Sequence, residues 1–244
     1  MLFNILFSKS FNNISLIQSQ DIILNSGSYE VNKTKIKITT LKGKYYFLKD
    51  NNINPYINGG LGYYKLYKTD DYNSYLIGGF GLRYIYNKDL NIKFGYNATV
   101  LQQTNKNKTL NSYYSSIYYK KRLKQFNPYI EVTLKYNKIR NSQIKGFDTN
   151  LELGLYTHKI LSILNYPIYA KVYGGVSNFD TTLSKLFNEN RVYTIGGATY
   201  WHIGKALHYK ILKDLNLNLN FQKSIGIKSL KGSKVGIGVN FLKF

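Results

Sequence analysis

Cysteine is absent from this 244-residue chain, which removes disulfide frameworks, thiolate metal sites and cysteine nucleophiles together. No stretch approaches eighteen apolar residues, so a helix crossing a bilayer is excluded. Acidic residues are scarce: 12 Asp and Glu stand against 34 Lys and Arg, a formal net charge of +22. The three histidines, His158, His202 and His208, have no companion carboxylate cluster, so the chain offers no obvious metal site. Only three prolines, one Trp and one Met occur.

Tyrosine is abundant, with 25 residues. Its ring has high strand propensity and suits a membrane–water interface. The dominant pattern is alternation. Leu215-Asn-Leu-Asn-Leu-Asn-Phe221 changes polarity at every position, Leu90–Val100 sets Ile92, Phe94 and Tyr96 against Lys93, Gly95 and Asn97, and Ile130–Asn137 does the same. Successive strand side chains point to opposite faces, so each segment makes a sheet with one apolar and one polar face. Eleven segments read as strands: Thr34–Phe47, Pro55–Tyr67, Tyr75–Tyr86, Leu90–Gln103, Leu110–Lys121, Pro128–Lys138, Gly146–His158, Pro167–Ser177, Arg191–Ile203, Leu215–Lys223 and Lys234–Phe244. Tyr113–Lys120 carries tyrosines on both faces. Ile14–Leu24 is a twelfth candidate, although Ile22-Ile23-Leu24 breaks its alternation. No convincing amphipathic helix interrupts the series, and His158–Tyr166 and Lys205–Leu212 are the only places that would allow a short helical turn.

The connections carry an internal repeat. Lys88-Asp-Leu-Asn91 and Lys213-Asp-Leu-Asn216 open strands, as do Asn54-Pro-Tyr-Ile57 and Asn127-Pro-Tyr-Ile130, and Pro167 opens another. Proline lacks the ladder N–H, and the start of a strand tolerates that loss. Counted with Ile14–Leu24, these openings begin every second strand, which places all of them at one end of a barrel. An even strand count, short turns on one side and longer loops on the other fit a membrane barrel. With the last strand ending on the short-turn side, Asn178–Asn190 and Ser224–Ser233 are expected to form long loops at the opposite end. The fold class is therefore all-β: a transmembrane, antiparallel, up-and-down barrel of about twelve strands, apolar residues outward. A soluble β-sandwich, its apolar faces meeting in a core, is the alternative.

Pro55-Tyr-Ile-Asn-Gly-Gly-Leu-Gly-Tyr-Tyr64 and Ile77-Gly-Gly-Phe-Gly-Leu-Arg-Tyr84 resemble strand phrases of bacterial outer-membrane barrels. With the strand count and a terminal aromatic, residues 34–244 are similar to autotransporter-type translocator barrels, including those that stand alone without a passenger. The resemblance implies a membrane anchor or translocator in the outer membrane of a Gram-negative cell. It further implies contact with outer-membrane lipid, lipopolysaccharide and the barrel-assembly machinery. Residues 14–244 form the single barrel domain on this reading. Residues 1–13 form a periplasmic segment or leader remnant, because Met1–Phe7 is too short for a signal peptide and has no basic residue before it. In the last strand Val235, Ile237, Val239 and Phe241 share one face, and Phe244 ends the chain as a candidate assembly signal.

The glycines of Gly59-Gly60-Leu61-Gly62 and Gly78-Gly79-Phe80-Gly81 lie inside alternating strands, so they bend or relieve a strand and do not cradle phosphate. The histidines fall at the short-turn ends, away from the rim where a Ser–His pair of a barrel enzyme would sit, so no catalytic residue or cofactor is expected. Arg83, Lys93, Lys135 and Lys171, with Glu131 and Glu152, oppose the apolar faces and are candidate lumen charges. They would favour anions in a small porin or form an interior salt-bridge network. Nucleic-acid binding by a basic, Tyr-rich chain is a further alternative, but the lysines are spread along the chain and not gathered into one run.

Overall fold

The computed structural model describes residues 18–31, 34–47, 52–66, 72–102, 107–124, 126–163, 166–180, 190–204, 212–228 and 230–243. They form β1 (Gln18–Val31), β2 (Thr34–Tyr46), β3 (Ile53–Leu66), β4 (Tyr72–Ile85), β5 (Leu90–Leu101), β6 (Lys108–Lys120), β7 (Phe126–Ile139), β8 (Lys145–Thr157), the short β9 (Leu161–Ile163), β10 (Tyr166–Phe179), β11 (Arg191–Gly204), β12 (Leu212–Gly226) and β13 (Lys231–Lys243). Each long strand is antiparallel to both neighbours. The ring closes where β1 pairs with β13, from Gln18 opposite Lys243 to Glu30 opposite Lys231. The twelve long strands therefore form a barrel without an edge. Closure lets every ladder N–H and C=O bond within the protein, which lipid demands and an open sheet does not provide.

Period-two alternation decides which residues face out. Leu61 is 56 % exposed, Phe80 61 %, Ile195 63 %, Phe221 59 % and Val235 61 %. Residues of this kind surround the ring, whereas a soluble monomer rarely exposes contiguous apolar patches beyond a few hundred Å². Among the described residues no second sheet packs against this surface, so the sandwich alternative fails. The apolar faces that would meet in a sandwich core point away from the barrel axis.

The inward face is organised by tyrosine opposite glycine. Tyr56 is the direct cross-strand partner of Gly81, and Tyr75 of Gly62. Tyr114 faces Gly95, Tyr129 faces Gly154, Tyr173 faces Gly196 and Tyr29 faces Gly232. In each pair the ring lies over the space where a side chain would be: a Cβ at Gly154 would come within 2.4 Å of Tyr129 Cε1, and one at Gly81 within 2.5 Å of the Tyr56 hydroxyl. Gly154→Val is therefore expected to lower stability by about 1–3 kcal/mol, the usual cost of overpacking. Urea unfolding in detergent micelles measures it, and an unchanged midpoint would show that the ring simply moves aside.

Several expectations are corrected. The twelfth strand is present, but it does not end at Leu24: β1 is described from Gln18 and continues to Val31. Residues before Gln18 lie outside the described region. The Ser224–Ser233 connection is not long: β12 runs to Gly226, β13 starts at Lys231, and Gly226 N donates to Leu230 O at 2.7 Å across the turn. Leu161–Ile163 takes no helical turn; it pairs as β9 with Tyr166–Ile168. Residues 205–211 lie outside the described region. At Lys88–Asp89 the Asn87 side chain shapes the turn, its Oδ1 accepting from Asp89 N at 2.9 Å and Leu90 N at 2.8 Å. The matching Lys213-Asp214 instead sits in β12 at a register shift against β13.

Candidate functional site

The barrel interior is the place where polar chemistry converges. Cross-strand register places Lys42 and Lys44 of β2, Arg83 of β4, Lys93 of β5, Glu131 and Lys135 of β7, Asp148 and Glu152 of β8, Lys171 of β10 and Lys234 of β13 on the inward face. Arg83 stands directly opposite Lys93, and Glu131 directly opposite Glu152. Like charges at such positions repel, so each needs other partners. Glu152 Oε1 accepts from Lys171 Nζ at 2.9 Å and also from the Tyr129 hydroxyl. Glu131 Oε1 accepts from Ser116 Oγ at 2.8 Å.

Tyrosine rings hold the cations. Lys171 Nζ lies 4.5 Å from the centroid of Tyr129, 4.8 Å from Tyr173 and 5.6 Å from Tyr156. Lys44 Nζ is 4.6 Å from Tyr56, and the Arg83 guanidinium 5.8 Å from Tyr46. Ring faces attract a cation at these distances without neutralising it. The wall is unevenly charged. The inward faces of β2–β5 carry Lys42, Lys44, Arg83 and Lys93 and no carboxylate, whereas β7–β10 combine Lys135 and Lys171 with Glu131, Asp148 and Glu152.

His158 follows β8, and its Nε2 is 2.8 Å from the Leu123 carbonyl, not beside a Ser or Asp. His202 lies in β11 opposite Asn216, and His208 is outside the described residues. No group of three or more His, Asp or Glu able to hold a metal occurs among the described residues. In β13, Val235 and Ile237 face outward, 61 % and 58 % exposed. Val239 and Phe241 continue that register, and Phe244 lies outside the described residues.

Sequence reasoning missed Lys42, Lys44, Asp148 and Lys234. In β2 the inward register runs Ile36, Ile38, Thr40, Lys42, Lys44, so two apolar residues head a polar face and the alternation gives no warning. Asp148 shows itself only through register, as the cross-strand partner of Lys135 and of Phe179.

No family model matches the chain, and no curated protein matches its sequence. Solved structures share its fold. The β domain of the Bordetella autotransporter BrkA matches with a TM-score of 0.61 at 13 % identity, over 93 % of this chain and 99 % of that one. The translocator domain of the autotransporter NalP from Neisseria meningitidis gives 0.61 at 12 %, over 99 % and 94 %. LpxR from Salmonella typhimurium gives 0.53 at 10 %, over 90 % and 99 %. The chain thus has the fold of bacterial outer-membrane β-barrels and is similar in architecture to autotransporter translocator domains.

Proposed function

We propose that the protein is a non-catalytic outer-membrane barrel that acts as an anchor or translocator of the autotransporter β-domain type. The observation that supports it most is the closed ring of twelve long strands with an apolar exterior, equal in extent to known translocator domains. The belt of outward Leu, Ile, Val and Phe suits hydrocarbon. The net charge of +22 suits anionic lipid and lipopolysaccharide at the membrane surface. Insertion would proceed through the barrel-assembly machinery, and no cofactor or nucleic acid takes part.

The test is expression behind a cleavable signal peptide with an epitope ahead of Gln18. The barrel is expected in the outer-membrane fraction, with heat-modifiable gel migration, and the epitope outside the cell and open to added protease. A folded outer-membrane barrel whose epitope stays in the periplasm contradicts translocation.

A second reading, a small anion-preferring porin, is favoured by the carboxylate-free wall of β2–β5. A cation in a narrow, partly desolvated channel attracts anions much more strongly than one in bulk water. The double substitution Lys93→Glu and Lys135→Glu is then expected to move the reversal potential in planar bilayers toward cation preference without blocking assembly. A wild-type barrel that inserts and passes no current removes the porin reading.

A further inference from the structure

A cavity of about 290 Å³ lies on the inner wall toward the barrel end opposite Gln18 and Lys243, and Ile36, Ile38, Phe179, Val192 and Leu230 form its apolar side. Inner walls of outer-membrane barrels are ordinarily polar, so this patch is out of place. It is also sheltered: Ile36 is 5 % exposed, Val192 7 % and Leu230 8 %. The cavity is about twice the size of the roughly 150 Å³ apolar void that takes a benzene, which sets a guest on the order of ten carbons.

One cation borders this apolar space and a second lies farther along the wall. Lys234 is the cross-strand partner of Gln222, which lines the cavity, and of Gly27, whose other partner is Ile38. Lys42 lies four residues along β2 from Ile38 on the same face, about 13 Å away at strand rise. Lys42 and Lys234 stand on the inward faces of β2 and β13, the two strands that flank β1, so two ammonium groups share this side of the lumen. No ion pair among the described residues engages Lys42 or Lys234. Glu152 acts on Lys234, but Lys171 and Tyr129 already hold its carboxylate.

We propose that this part of the lumen binds a single-chain anionic amphiphile of the fatty-acid class, its hydrocarbon in the Ile36–Phe179–Val192 cavity and its acid group on Lys234, with Lys42 beyond. Neither half of the site explains the other alone. An apolar wall does nothing for an inorganic anion, and ammonium groups do nothing for a neutral alkane. The inference rests on the barrel architecture and not on whether the barrel translocates or conducts.

The test uses the full chain in lipid nanodiscs with ¹³C-labelled Ile, Leu and Val methyl groups, titrated with decanoate, decanol and sulfate. Decanoate is expected to shift the Ile36, Ile38, Val192 and Leu230 methyls saturably, while outward Leu61 and Leu219 drift linearly as the amphiphile enters the lipid. Lys234→Gln is expected to weaken decanoate about tenfold or more, the scale of a charged hydrogen bond, and to leave decanol unchanged. Val192→Trp, which fills the cavity, should abolish the saturable shifts; Lys234→Gln keeps the test decisive if the larger ring disturbs folding. Equal affinity for decanol, the same shifts with sulfate alone, or linear drift at every methyl overturns the proposal. A wild-type spectrum without dispersed methyl signals contradicts the barrel itself, and the site with it.

Discussion

Leu134→Arg and Leu219→Arg each destabilise the barrel folded in a bilayer by about 2–4 kcal/mol, the cost of a cation at the membrane midplane on the outside of a barrel. Both residues lie near the middle of long strands, β7 and β12, and are 50 % and 59 % exposed with nothing packed over them. In water such positions would tolerate charge freely, since surface substitutions cost little. The effect therefore comes entirely from the surrounding solvent. Ile53→Arg is the depth control: Ile53 is 54 % exposed but begins β3, close to the barrel end, and its substitution should cost no more than about 1 kcal/mol. Folding titrations into phospholipid vesicles measure all three. Equal, small effects would mean that these faces do not meet hydrocarbon.

The second large effect lies inside. Glu152→Ala is expected to destabilise the barrel by about 2–3 kcal/mol, somewhat below the 3–5 of a fully enclosed pair because lumen water reaches the site. The Lys171 and Glu152 side chains are only 15 % and 21 % exposed, and removing the carboxylate leaves the ammonium with ring faces alone, while the Tyr129 hydroxyl loses its acceptor. Adding Lys171→Met to Glu152→Ala should recover most of the loss, since an apolar side chain among Tyr129, Tyr156 and Tyr173 needs no counter-ion. Chemical denaturation of the two variants in micelles decides the matter. A double variant no better than the single would assign the loss to the Tyr129 hydrogen bond instead.

Much of this architecture was legible because lipid outside and water inside impose opposite chemistry on alternate residues. Leu215–Phe221 and Leu90–Val100 obey that rule at nearly every step. The rule blurs where a residue type suits both sides. In β6, Tyr114 and Tyr118 turn inward while Tyr113 and Tyr119 turn outward, and nothing in Ser-Tyr-Tyr-Ser or Ile-Tyr-Tyr-Lys distinguishes them. It fails at Ile36, Ile38 and Val192, where apolar residues occupy the polar face to build a cavity. The tyrosine–glycine pairing was invisible for a different reason: Tyr129 and Gly154 are twenty-five residues apart, and only register brings them together. Loop length misled at Ser224–Ser233, because β12 and β13 continue through residues whose alternation has ended.

A nitroxide scan along β12 tests the central claim most directly, and the absence of cysteine lets each single-cysteine variant carry one label without altering the native chain further. In bilayers, labels at Leu217, Leu219 and Phe221 should collide freely with oxygen, which concentrates in lipid, and poorly with a water-soluble nickel complex. Labels at Asn216, Asn218 and Asn220 should show the reverse ratio or shielding from both, giving a period of two across the strand. Loss of that period, or apolar positions shielded from oxygen as in the core of a soluble sandwich, would contradict the barrel.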